Sequence, residues 1–349
     1  MRTLLLFASL AVAAALPSFA ALSWQDPRWR IEAKESKVEP HLGRDSLFLR
    51  EGNAWLDGAA LRDGVIEVDI AAPSEVGFHG VAFRAADHEN YELFYLRSHL
   101  SKHPDATQYT PVFHGIYGWQ IYTSKRYVQP AEIGADRWVH VRMAIRGSRL
   151  EVSVDGQLLI FPQLVRDPAA GAVGLMASAG GAHFCNFEFH PTDDPALNGG
   201  GGAPADMTPE GTITRWRVST TFPESKIESV TGLQWEDLGV GDNGIANLAM
   251  LRRRENTNNT VFASMTLHAD KAGTLRVRFG YSDRVVAFLN GRAIYRGIAQ
   301  FGSRDPRFLG SIGLFDELDL PLRAGDNELR FAVSEDFGGW GIIAAVAHN

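Results

Sequence analysis

The 349-residue chain holds a single cysteine, Cys185. One thiol cannot form an intrachain disulfide, and a chain of this length can bury enough apolar surface to fold without one. Cys185 stands in "AHFCNFEF", among apolar neighbours and with no basic residue beside it to lower its pKa. It reads as a packed thiol rather than a reactive one. A basic excess is missing too: 34 Lys and Arg against 41 Asp and Glu leave a net charge of −7. The cations are scattered, which argues against nucleic acid, since that partner requires a basic stripe, and against anionic lipid. Beyond residue 20 no apolar run approaches the roughly 20 residues of a spanning helix. Long helical periodicity, His-Glu-x-x-His, ordered Ser/His/Asp and phosphate-cradling glycine loops are all absent.

What is present begins with MRTLLLFASLAVAAALPSFA. Arg2 gives a basic start, Thr3 to Leu16 an apolar core, and Ser18-Phe19-Ala20 a small-x-small pattern, which together predict a cleavable secretory signal over residues 1–20. No cysteine lies near the cut, which argues against a lipid anchor. The mature chain is therefore expected to be periplasmic or secreted. A second landmark is "DPALNGGGGAPADMTPEG". Four consecutive glycines among prolines cannot sustain a strand or helix, so residues 194–210 read as a linker between domains at 21–193 and 211–349.

Both sides of the linker alternate with the period of β-strands. In "GVIEVDI", Ile66, Val68 and Ile70 point one way and Glu67 and Asp69 the other. "WVHVRMAI" directs Val139, Val141, Met143 and Ile145 inward, and "RLEVSVDGQLLIF" does so with Leu150, Val152 and Val154 before an Asp155-Gly156 hairpin turn. "GAVGLMASAGGAHFCNFEFH" reads as two closing strands. After the linker, Leu275, Val277 and Phe279 alternate with Arg276 and Arg278, and Asn290-Gly291 is a strong hairpin signal. The predicted fold class is all-β, with two β-sandwich domains of jelly-roll type joined by the glycine-rich linker.

The order of "DGVIEVDI", "GVAFRAADHENYELFYLR", "RWVHVRMAIRGSRLEVSVDG" and "GAVGLMASAGGAHFCNFEF" resembles the concanavalin-like lectin and laminin-G sandwiches, in the branch that includes 3-keto-disaccharide hydrolase domains. This resemblance covers roughly residues 25 to 192. "VAFLNGRAIYRG" and "LPLRAGDNELRFAV" are similar to the galactose-binding-like jelly rolls attached to many glycoside hydrolases. The resemblance implies carbohydrate as the partner. Endoglucanases of the superfamily use Glu-x-Asp-x-x-Glu; "IEVDIAA" supplies Glu67 and Asp69, but Ala72 takes the place of the third carboxylate. Without it a retaining mechanism lacks its second group, so Glu67 and Asp69 read as solvent-facing acids. Calcium stays open, because sandwiches of this superfamily often bind it through loop carboxylates and carbonyls; no other cofactor and no metal ligand is assigned.

The candidate site lies in "NYELFYLRSH" and "PDATQYTPVFHGIYGWQIY". Along an extended strand Tyr91, Leu93, Tyr95, Arg97 and His99 share one face, while Phe94 and Leu96 share the core face. A loop over residues 100–116 can bring Asp105, Gln108, Tyr109, Trp119 and Tyr122 alongside. Flat rings stack on the apolar faces of sugars, and Arg, His, Asp and Gln satisfy hydroxyls by directed hydrogen bonds. The other reading is a packed loop, with the rings as lids and Arg97 paired to Asp105. Catalysis at the same face, as in keto-glycoside hydrolases or polysaccharide lyases, is the alternative to binding alone. A secondary ligand set is Arg304, Asp305 and Trp340, with Tyr281 and Asp283 nearby in "FGYSDR".

Overall fold

The computed structural model describes residues 21–204 and 208–347. The expected signal segment, residues 1–20, lies outside them. Strands dominate, and the helical content among the described residues is three short 3-10 turns. No helix is long and apolar enough to cross a membrane.

Residues 29–191 form one antiparallel system of twelve strands that curls into two facing layers. Strands Gly64–Ala71, Val139–Arg146, Arg149–Val154 and Gln157–Phe161 make one layer; Phe78–Asp87, Asn90–Leu96 and Thr107–Phe113 belong to the other. Ile66, Val68, Ile70, Val139, Val141, Met143, Ile145, Leu150, Val152 and Val154 all enter the core between them, as their alternation requires. The closing segment is not two strands but one, Gly171–Pro191. Its first part pairs with Phe78–Asp87 and its second with Gly64–Ala71. The register shifts between Ala177 and Gly181, where Ala179 has φ 53°. An irregularity of this kind lets one strand turn a corner and serve both layers. Asp155 and Gly156 both have positive φ, which identifies the mirror-image hairpin turn expected there.

The solvent-facing reading of Asp69 is corrected. Its carboxylate is buried and accepts from Arg44, from Asn186 at 2.8 Å and from the His140 ring at 2.7 Å. Arg44 also brings to Cys185 a basic neighbour invisible in the local sequence, with Nη1 3.7 Å from Sγ. Burial nevertheless pushes the thiol up to about 11, with Asp69 adding to the shift and Arg44 opposing it.

Residues 215–346 form a second sandwich, a six-stranded sheet facing a four-stranded one. Trp216, Val218, Phe279, Phe331 and Trp340 fill the space between. Asn290 and Gly291 again have positive φ, in the turn that joins Arg284–Leu289 to Arg292–Ile298. The two cores meet: Ile245, Ile312 and Ile343 pack into the N-terminal core and Ile116 into the C-terminal one. The glycine tract lies against the first sandwich, where Arg149 Nη2 donates to the Gly200 carbonyl at 2.7 Å.

Candidate functional site

Along Asn90–Leu96 the side chains divide as the alternation predicts. Phe94 and Leu96 enter the inter-sheet core, and Tyr91, Leu93 and Tyr95 cluster on the outer face with Trp55 and Met176. Above that face lies a cleft of about 960 Å³, bounded by both sandwiches. The first sandwich contributes Phe78, Tyr95, Arg97, His99, Asp105 and Trp119; the second contributes Arg254, Phe301, Leu309, Glu335, Asp336 and Phe337. Trp119 and Phe337 meet across the cleft with ring centroids 6.0 Å apart and planes inclined at 59°. Val76, Phe301, Leu309 and Phe337 are exposed, although large and apolar, and all four border this one cleft. Apolar side chains grouped in this way are available to contact a partner.

Beneath the cleft runs a closed hydrogen-bond network. Tyr95 Oη donates to Gln108 Oε1 at 2.7 Å. Arg97 Nη2 donates to Tyr95 Oη at 2.8 Å and also to Gln108 Oε1. Gln108 Nε2 donates to the Trp119 and Tyr122 carbonyls at 3.0 and 2.7 Å. An amide side chain has two donors and two acceptor positions, so Gln108 has none left for a hydroxyl. Its expected role as a direct ligand contact is replaced by that of a brace, fixing Arg97, Tyr95 and the Trp119 backbone together. Burial pushes the Tyr95 phenol up to about 12, so it stays protonated.

Arg97 is not paired to the Asp105 carboxylate. Its Nη1 donates to the Asp105 backbone carbonyl at 2.6 Å, while the carboxylate bonds the His103 ring. The guanidinium sits over the Tyr95 ring at 4.9 Å, an arrangement worth about 1 kcal/mol or more when desolvated. His99 accepts from the Gly77 N–H through Nδ1 at 3.4 Å, which leaves its proton on Nε2. Burial, then the Arg97 charge, holds its pKa below the usual histidine value.

Three expected ring contacts lie elsewhere. Tyr109 belongs to the core face, because Thr107–Phe113 pairs Tyr109 with Phe94; its hydroxyl bonds the buried Glu92. Tyr122 is buried in the same core and accepts from Asn247 Nδ2 at 3.2 Å. Tyr91 is sealed against Trp55 and donates to Tyr117 Oη at 3.0 Å. The secondary set does not converge. Trp340 is a core residue whose Nε1 donates to the Val333 carbonyl, Asp305 pairs with Arg307 on the surface, and Arg304 pairs with Asp316.

Sequence reasoning missed the far wall. Phe301, Leu309 and Phe337 read as ordinary loop residues, and nothing in local spacing connects them to residues 200 positions earlier. No group of histidine, cysteine and acidic side chains among the described residues is arranged to hold a metal ion.

No family model matches this chain, and no curated protein does. Among solved structures, a carbohydrate-binding module from Bacillus subtilis is similar over 46% of this chain and 94% of its own, at 16% identity and a TM-score of 0.36. The Bacillus licheniformis β-glucanase is similar over 50% and 100%, at 10% identity and 0.36. Chicken galectin 2 is similar over 40% and 93%, at 8% identity and 0.28. At such scores and identities these likenesses carry no inference about a ligand or an activity here.

Proposed function

We propose that this chain is an exported carbohydrate-binding protein whose saccharide lies in the cleft between its two sandwich domains. The observation that carries the reading is the cleft's composition. Its volume of about 960 Å³ matches the range of small-molecule sites, in which apolar and aromatic walls are set with a few polar groups. Trp119 and Phe337 offer faces for stacking on a sugar ring. His99 Nε2 and the Asp105 carboxylate supply a donor and an acceptor for hydroxyls. Tyr95, Arg97 and Gln108 hold this wall rigid, which lowers the ordering cost of binding. Export is supported by the signal pattern of residues 1–20.

The test is a glycan array followed by titration calorimetry on the best ligand. Trp119→Ala is expected to weaken binding about tenfold, which corresponds to about 1.4 kcal/mol. An array with no retained glycan overturns the reading, as does a Trp119→Ala protein that binds like the parent. New reducing ends or unsaturated products from oligosaccharide or keto-sugar panels would replace binding alone with cleavage at the same face.

A further inference from the structure

Among the described residues three arginines are buried: Arg84, Arg97 and Arg126. A guanidinium cannot shed its proton, so each stays a cation where solvation is poor, and a buried charge is ordinarily paired. Arg84 Nη2 has the Asp63 carboxylate at 3.0 Å, and Arg126 Nη1 has that of Asp242 at 2.8 Å. Arg97 has no carboxylate. Its three bonds go to uncharged oxygens: the Asp105 carbonyl, the Tyr95 hydroxyl and the Gln108 amide. The Phe78 and Tyr95 ring centroids lie 5.7 and 4.9 Å from it; rings ease the burial of a cation but are no counter-ion.

Arg97 is also the one of the three that lines the cleft. It keeps 6% exposure, and its Nε, which has no partner, is not closed off from solvent. Of the five N–H donors of a guanidinium, three are engaged, and those left are on Nε and Nη1. The acids bordering the cleft offer no remedy. Asp105 bonds the His103 ring, and Asp336 is held by Arg284 at 2.6 Å. Glu335 has 0% exposure, and both its oxygens are closed off. On the far wall Arg254 is exposed. It acts on Asp336 through space and forms no ion pair among the described residues. A cationic ligand would meet two guanidinium groups without a bonded carboxylate, and a neutral one would leave Arg97 unanswered. The cleft lacks an anion.

We propose that the saccharide held in this cleft is acidic, and that its carboxylate supplies the counter-ion Arg97 lacks, through charge-assisted hydrogen bonds. This rests on the saccharide reading above and adds to it the class of sugar and the residue that selects it. Arg254 reinforces the choice from the opposite wall, by an attraction that salt screens because the side chain is exposed.

The test uses the full chain and titration calorimetry with galacturonate, glucuronate, mannuronate and guluronate oligosaccharides. Each is paired with its methyl ester, which keeps ring and linkage but removes the charge. Each is also paired with a sulfated neutral counterpart, which restores charge in another geometry. In at least one series the acid should bind about tenfold or more tighter than its ester. Arg97→Gln should bring that ratio close to one, whichever way the affinity for the ester itself moves. Arg254→Gln should weaken acid binding about threefold at low salt, a loss that fades as salt is raised. An ester that binds as well as its acid in every series overturns the proposal. So does an acid preference that survives Arg97→Gln, or a sulfated sugar that binds more tightly than the uronate. If Arg97→Gln does not fold, Arg97→Lys takes its place: it keeps the charge without the planar fork and should bind the acid more weakly, so parent-like affinity overturns the proposal. Neutral sugars bound through Trp119 with no preference for the acid sink this inference alone, whereas no saccharide binding at all sinks it together with the functional reading.

Discussion

At the scale of single residues, burial sets the chemistry more than sequence neighbours do. Glu92 has 0% exposure, and burial pushes its pKa up to about 7, against the opposing Tyr109 hydrogen bond and the charges of Arg166 and Arg84. The folded state thus holds a proton that the unfolded chain releases. Stability from this group is complete below the ordinary carboxylate range and is lost as pH rises to about 7. The urea midpoint should therefore fall between pH 5 and 7.5, and Glu92→Gln should flatten part of that slope, worth a few kcal/mol. Glu335, also buried and also held well above the ordinary carboxylate range by that burial, contributes a loss of the same sign, so the variant leaves a remainder. Cys185 gives a second expectation. With its thiol at about 11 and buried, it should resist alkylation by iodoacetamide in the native protein and label fully once the chain is unfolded.

At the scale of elements, period-two alternation made much of the fold legible. It placed Ile66, Val68 and Ile70 in the core and separated Phe94 from Tyr95. It could not show that residues 171–191 form one cornering strand, because a bulge leaves no fixed signature in side-chain type. Nor could it assign Tyr109, whose face depends on the pairing register with Phe94. Close approach between strands is equally hidden. At Gly80 an added Cβ would meet the Phe94 carbonyl oxygen at 2.0 Å and the Tyr95 Cα at 2.6 Å. Backbone cannot yield as a side chain would, so Gly80→Ala should cost about 1–3 kcal/mol, visible as a lowered Tm. Since Gly80 pairs with Tyr95, the same change should disturb the cleft floor.

At the scale of the molecule, the stretch 104–122 is both one wall of the cleft and the seam between the sandwiches. Gln120 is the fastening. It is fully buried; Nε2 donates to the Leu309 carbonyl at 2.9 Å, and Oε1 accepts from the Gly339 N–H at 2.7 Å and the Ser282 hydroxyl at 3.1 Å. Added Cβ atoms at Gly310 and Gly338 would strike it at 2.1 and 1.9 Å, so both positions leave room for this amide. Gln120→Leu strands the buried Gly339 N–H and removes the acceptor of the Ser282 hydroxyl and the donor to the Leu309 carbonyl, and should cost about 1–3 kcal/mol. The glycine tract marks a linker but leaves open whether the halves unfold independently. The shared apolar contacts of Ile116, Ile312 and Ile343 lead us to expect one calorimetric transition for the parent, divided into two by the Gln120 change.

The seating of Leu309 and Phe337 opposite Trp119 has a practical corollary. Any guest resting there is read by two stretches of polypeptide encoded far apart, so chimaeras that exchange residues 211–349 for a diverged counterpart should acquire new ligand preferences while every residue of the leading sandwich stays unaltered.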